Sequence, residues 1–371
     1  MNQALSVYLD LVRYCAALVV FLGHASGRLW TGGLLWQFDP YMQTAVIVFF
    51  VLSGFVIAYV VATRERDAAD YTASRLARLW SVALPALALT FAIDYVGLRV
   101  APSIYVDRTW YHGDDLWLRY VTSAFFVHEL WSAGLVPGTN GPYWSIGYEA
   151  AYYLFFGLLV FVRQKLAAAL LLIAAMALAG PTIVAMFPLW LLGVAAYYIV
   201  ERRRPNVIVS LPLLAASTAV LAMSPALRQA TASFSVGWIS RNAFVGDYID
   251  GIAFFLHLVA ASRASELVGP LLTRHRRIVS WLATGTFALY LFHRPLIQFF
   301  AYVGPEPADG WPRRILVFLG VPATVIILTP LTERFKRYLK RSIVRILRRG
   351  QVDVATPVRT NADADGSKPV S

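Results

Sequence analysis

The chain has 371 residues, 58% hydrophobic and 15% charged, with a mean hydropathy of +0.59. A soluble domain cannot hide that much apolar surface, so the composition calls for a bilayer as solvent. The net charge of +12 comes with no nucleic-acid reader motif and fits the Lys and Arg excess of cytosolic loops, while the single Cys15 excludes an intramolecular disulfide and no Cys/His spacing suits a metal site.

In chain order, ten apolar runs of the length needed to cross a bilayer stand between charges, Gly or Pro: residues 5–25, 42–62, 79–98, 143–162, 166–180, 182–200, 207–224, 242–262, 279–302 and 314–333. The first lacks a basic leader and is interrupted by Asp10 and Arg13, so it reads as a retained span rather than a signal peptide. Gly180-Pro181 makes the fifth and sixth a tight helical hairpin. The stretch 116–135 is moderately apolar but carries Arg119, His128 and Glu129, which are expensive against lipid. Charge parity keeps it from being a span. With it outside and both termini cytosolic, twenty-one basic residues fall in inner loops against eight in outer ones, and a crossing there would reverse the asymmetry. The loop 99–142, with Trp110, Tyr111, Trp117, Tyr120 and Trp131, suits the headgroup level. The fold class is therefore an all-α integral membrane bundle of about ten transmembrane helices over residues 1–335. Residues 336–349 alternate basic and apolar residues as an amphipathic helix on anionic lipid would, and the polar tail 350–371 reads as disordered.

Ionisable side chains inside spans are functional candidates by default. Asp10, Arg13 and His24 share the first run. Eleven residues separate Arg13 from His24, which returns to the same helix face about 16 Å along the axis. Asp10, one turn before Arg13, is placed to pair with it. The plainer reading of this stripe is an ion-paired or snorkelling Arg and an interfacial His bonded to a neighbouring helix.

Several segments resemble one family. Leu9-Asp10-Leu11-Val12-Arg13 through His24 is similar to the Arg-x10-His first helix of the membrane-bound acyltransferase family three, the O-acetylases of bacterial surface polysaccharides and their relatives. The run Phe49-Phe50-Val51-Leu52-Ser53-Gly54-Phe55 resembles its second-helix signature, and Ser74-Arg75-Leu76-Ala77-Arg78 its basic approach to the third helix. Pro142-Tyr143-Trp144-Ser145-Ile146-Gly147-Tyr148-Glu149 resembles its Trp-Ser-x-x-x-Glu segment, and Tyr290-Leu291-Phe292-His293-Arg294-Pro295 its late helix with His and Pro. Order and spacing match along about 330 residues. The chain departs from the family where a proline is displaced to Pro85 and where Glu333-Arg334-Phe335 replaces Glu-Lys-Pro.

The resemblance implies a multi-pass enzyme of the plasma membrane, a bacterial inner membrane, that takes an acetyl or other acyl group from cytosolic acyl-CoA to a hydroxyl of an extracytoplasmic glycan or glycolipid. Acetyl-CoA is the implied co-substrate, with no metal. Acyl transfer to an alcohol needs a base, a donor path and stabilisation of an oxyanion. Imidazole titrates near neutrality, so His24 is the candidate general base. Glu149, six residues into the fourth span and about 9 Å below the outer surface, is the candidate acid that orients it. Arg13, Arg75, Arg78 and Ser53 are candidates for the donor, Arg75 and Arg78 being equally readable as positive-inside anchors and Ser53 as a helix-packing residue. Trp144, Ser145, His293, Asp247 and Asp250 are candidates for the acceptor, His293 lying about 21 Å up the ninth helix. Direct transfer and an acyl-histidine intermediate both fit.

Two rival classes suit the same pattern. A proton-coupled transporter of a polar solute would also bury Arg, His and Glu, although no internal repeat or matched pair of broken helices supports it. A non-catalytic membrane partner in polysaccharide export would dispense with Arg13, His24 and Glu149.

Overall fold

The computed structural model describes residues 2–105, 110–203 and 205–355. The protein is all helical, 82% of it in helices, and among the described residues the sole β-type pairing is a bridge between His112 and Gly138. The helices are α1 (Gln3–Ala25), α2 (Arg28–Thr31), α3 (Met42–Thr63), α4 (Ala68–Val100), α5 (Leu116–Ala124), α6 (Trp144–Phe161), α7 (Lys165–Ala179) and α8 (Pro181–Arg202). They continue as α9 (Val207–Ala222), α10 (Ser224–Ala230), α11 (Phe244–Leu267), α12 (Gly269–Arg274), α13 (Arg276–Thr284), α14 (Thr286–Val303), α15 (Trp311–Ile315) and α16 (Val321–Ala355).

Local chemistry sets several of the boundaries. Asn2, Asp67 and Asn206 each accept a hydrogen bond from a backbone N–H three residues on, satisfying an orphan donor where α1, α4 and α9 begin. α7 and α8 are joined by Gly180 alone, whose φ of 88° lies outside the range of ordinary side chains, and Pro181 then opens α8.

Seven helical segments among the described residues are long and apolar enough to cross a membrane, and an eighth is the pair α9 and α10, bent by 59°. This is fewer than the ten runs read from hydropathy. The fifth run forms a helix of only 15 residues, α7. The ninth is split at Gly285 into α13 and α14. The last run corresponds to one span from Trp311 to Arg349, through a π-helical turn at Leu316–Gly320. At 39 residues it is about 58 Å long, well beyond the bilayer's hydrocarbon thickness. Residues 336–349 are thus a continuation of that helix rather than a separate one. Arg348 ties the extension to Asp70, 3.1 Å away in the first turn of α4. Of the tail expected to be disordered, 350–355 continue α16 and 356–371 lie outside the described residues.

The segment 116–135 contains the nine-residue α5 and a 3-10 turn at Leu130–Ser132, and does not cross as a helix. Its charges are met locally: Arg119 binds the Asp114 carboxylate at 2.7 Å and the Asp114 and Gly134 carbonyls. The loop then packs on the bundle, Trp131 donating to Ala177 O and Ser132 bonding Thr182. Trp117 and Trp131 remain largely exposed.

α3 is the hub, with Ile47, Val51 and Ala58 wholly buried and α1, α8 and α11 packed around it. The α3–α8 seam is very close: a Cβ on Gly54 would stand 2.0 Å from Trp190 O, and one on Gly193 1.9 Å from Val51 O. Small residues permit such backbone approach between membrane helices. α14 and α16 both pack on α4, and α1 packs on α14.

Candidate active site

α1, α3, α4, α6 and α14 enclose a narrow cavity of about 60 Å³ lined by Arg13, Phe49, Phe50, Ser53, Arg78, Ser145, Glu149, Tyr153, Thr286 and Tyr290. A second cavity of about 220 Å³ shares Arg13, Arg78, Thr286 and Phe287 with it and runs on to Ser81, Thr332, Glu333 and Lys336. Four shared wall residues make the two a single corridor. The wider cavity meets α4 at Arg78, Ser81 and Val82 and α14 at its first residues, Thr286 and Phe287.

Two guanidinium groups flank the passage between the cavities. Arg13 stands 3.8 Å from Asp10, one turn earlier on α1, and Asp10 also accepts from Ser280 of α13 at 3.0 Å. Arg78 lies over the Phe287 ring, and its buried Nε has no hydrogen-bond partner. Facing them, Glu149 accepts from Ser53 at 3.0 Å and from the Tyr153 hydroxyl. With Asp10 counted, the arrangement sets two cations against two carboxylates, and the buried Arg78 Nε is the donor left for a polar ligand to meet.

At the narrow end, Ser145 and Tyr290 bond hydroxyl to hydroxyl at 2.7 Å, and Tyr290 donates to Pro142 O at 3.1 Å. One turn further along α14, His293 stacks on His24, with ring centroids 5.2 Å apart and 27° between planes. His24 is half-buried and His293 fully so. Next to them the Arg294 guanidinium lies against two indoles that meet edge to face, 5.0 Å from Trp30 and 5.1 Å from Trp110.

The loop before α6 braces this end. Pro295 has no N–H, so the Leu291 carbonyl four residues back loses its helical donor. The Asn140 amide supplies the replacement, donating to Leu291 O at 3.0 Å and to Thr90 at 3.1 Å. Beside it, Asp94 of α4 accepts from the Thr139 backbone N–H at 2.9 Å and from its hydroxyl at 2.8 Å. The 113–143 loop is thereby latched to α4 and α14 where the two histidines meet.

The corridor thus gathers Arg13, Ser53, Arg78, Ser145 and Glu149, and His24 and His293 sit beyond its narrow end. Other candidates lie elsewhere. Glu149 does not orient His24: it is four residues inward from Ser145 on α6, whereas His293 is three residues outward from Tyr290 on α14, so the two levels differ by about 10 Å. Arg75 is not free for the donor, because it is ion-paired to Glu65 and lies over Tyr71 in a separate groove. Asp247 and Asp250 are not open to an acceptor. Arg228 lies 2.7 Å from each, and Arg241 binds Asp247 as well. Trp144 is covered by Arg241, 4.6 Å from its ring, and packs edge-on to Phe50 and Tyr148.

Tyr153, Thr286, Trp30 and Asn140 join the site without a signal in the sequence, since each residue type is ordinary in its position, whereas Tyr290 opens the late-helix segment that carries the family resemblance. Asp94 and Arg294 do carry one, the same charge inside an apolar run that marks Arg13.

A family model described as an acyltransferase domain, that of acyltransferase family three, matches residues 6–333. No curated protein and no solved structure matches the chain.

Proposed function

The chain belongs to acyltransferase family three, and on that premise we propose that this membrane acyltransferase moves an acetyl or other short acyl group from acyl-CoA to a hydroxyl of a glycan or glycoside. On this reading the chain threads a bacterial inner membrane about ten times with both termini in the cytosol, the Lys and Arg excess holding the corridor's wide mouth inside. The acceptor waits on the extracytoplasmic side.

The observation that carries the reading is the corridor itself, which leads from Lys336 and Arg78 past Arg13 into a mainly apolar chamber ending at Tyr290, with an imidazole one turn beyond. Its smaller cavity, about 60 Å³, is assigned to the pantetheine arm rather than to the nucleotide. The phosphates then stay at the mouth, where Arg78 offers charge-assisted bonds beside the Lys336–Glu333 ion pair, and Arg13 and Ser53 flank the arm. At the far end the acyl carbon exchanges its bond to the CoA sulfur for a bond to the acceptor oxygen. The hydroxyl proton passes to imidazole and CoA departs as its thiol. Trp30, Trp110 and Arg294 wall the acceptor side, where indole faces suit the apolar face of a sugar.

The test is reconstitution in proteoliposomes with [1-14C]acetyl-CoA and extracted surface glycan. Label in alkali-labile ester on the glycan supports the reading. Label that stays on the thioester, with or without solute movement, removes it.

A further inference from the structure

The narrow end of the corridor holds two stacked imidazoles where the reaction above calls for one. We propose that His293 is the base that takes the proton of the acceptor hydroxyl, leaving His24 to receive the acyl group. The inference rests on the acyltransferase reading and divides its chemistry between two rings.

The two rings are held differently. Nδ1 of His293 lies 3.0 Å from Leu289 O, one helical turn back. A carbonyl has no proton to give, so Nδ1 carries the hydrogen and, in the neutral ring, Nε2 carries the lone pair. That Nε2 is buried with no hydrogen-bond partner. A buried acceptor without a donor is an unmet interaction, and a donor that arrives with the substrate satisfies it. An acceptor hydroxyl is such a donor. Asn140 fixes the α14 backbone at Leu291, between Leu289 and His293, so the ring's orientation is set before anything binds.

His24 has no such tether. It is half-buried at the last turn of α1, is bonded to no described residue, and meets His293 face to face. An imidazole with no backbone tether is suited to attack, and one pinned by its backbone to proton transfer. The groups near the pair are Arg294, Tyr290, Trp30 and Trp110, with Asp94 held by Thr139.

The steps balance. A ring nitrogen of His24 bonds to the thioester carbonyl carbon as the C–S bond breaks, and the thiolate takes the proton from the other nitrogen, leaving as CoA thiol. The acceptor oxygen then bonds to the same carbon as the C–N bond breaks, and its proton goes to Nε2 of His293. That proton passes on to His24, and both rings return to the neutral state.

The experiment uses membrane vesicles carrying the full chain, [1-14C]acetyl-CoA and the endogenous glycan acceptor, with two readouts: label on glycan, and CoA released in the first turnover together with label on the protein. His293→Asn keeps an N–H to meet Leu289 O and lacks the base. It is expected to lower glycan label about 100-fold or more while first-turnover CoA release stays within about twofold of wild type and protein-bound label accumulates. His24→Gln is expected to lose both readouts. His293→Ala with added imidazole is expected to regain transfer, which a purely structural role would not allow. Wild-type transfer by His293→Asn, parallel loss of both readouts in folded protein, or no regain with imidazole overturns the proposal and leaves the acyltransferase reading standing. Absence of any acyl-CoA-dependent label with wild type overturns both.

Discussion

His24, on the last turn of the first helix, and His293, in the middle of α14, stack face to face at 5.2 Å. The contact fixes which end of the Arg13–His24 stripe meets the late helix. Replacing His24 with Ala removes an imidazole from a half-buried position, so the helix and its packing should persist. Glycan acylation is expected to fall by at least about 100-fold, no less than the loss of a positioned acid–base group costs, since the ring that receives the acyl group is gone. Monodispersity in detergent should be unchanged. Retained transfer in the folded variant would remove His24 from the mechanism.

Arg75 and Arg78 stand one turn apart and do different work. Arg78 faces both cavities, whereas Arg75 is closed by Glu65, with side-chain exposures of 9% and 5%. Arg78→Ala is expected to raise KM for acyl-CoA about 10-fold or more, the scale of one charge-assisted bond. Arg75→Ala should leave KM within about twofold and destabilise the protein by about 3 kcal/mol, because it strands a buried carboxylate. Steady-state kinetics and thermal unfolding separate the two, and the reverse pattern would move the donor path to the Arg75 groove.

Asn140 and Pro295 form a testable pair. Asn140→Ala leaves the Leu291 carbonyl without a donor and is expected to cost about 2 kcal/mol. Adding Pro295→Ala restores a backbone N–H four residues on, so the double variant should recover part of the loss. A thermodynamic cycle on unfolding midpoints measures the coupling. Strict additivity would mean that the amide is not filling the proline's gap.

The α3–α8 seam leaves no room for a methyl group at Gly54 or Gly193, where the atoms met are backbone. Gly54→Ala and Gly193→Ala are each expected to destabilise by at least about 1–3 kcal/mol, as overpacking does. Gly54→Ala should also lower kcat, since neighbouring Ser53 is the donor to Glu149. Thermal-shift assays in detergent read the first effect, and an unshifted midpoint would show that the helices separate freely.

Glu129, in the loop before α6, is pushed up from 4.5 to about 7 by burial, opposed by the charge of Arg241. The folded state therefore holds this proton after the unfolded chain has released it. The group's stabilising effect is full below about 4.5, declines as pH rises to about 7, and is lost above. Glu129→Gln should unfold like wild type at pH 4 and be more stable at pH 8 by up to about 3 kcal/mol. Equal midpoints at pH 8 would refute the burial effect.

Much of the helix framework was legible in hydropathy. The runs at 5–25, 42–62, 143–162, 182–200 and 242–262 correspond closely to α1, α3, α6, α8 and α11. Where the reading departs, the cause is local: Gly285 divides the ninth run, and the last helix runs on because nothing in 334–349 interrupts it. Charge position was readable but charge partnership was not. Asp247 and Asp250 looked available until Arg228 and Arg241 closed on them, and Glu149, near in depth by residue counting, serves Ser53 and Tyr153 instead.

The linear order of side chains was enough to determine immersion in a bilayer, the stripe joining Arg13 to His24 and membership of an acyltransferase family. Each depends on composition or on spacing within one helix, where a fixed rise and turn convert residue number into position. Only the folded bundle decided that His24 meets His293, that Arg78 rather than Arg75 faces the corridor, and that Asn140 answers the gap left by Pro295. Those relationships join different helices and loops, and their distances depend on how the elements rotate and tilt in packing, which spacing along the chain does not encode.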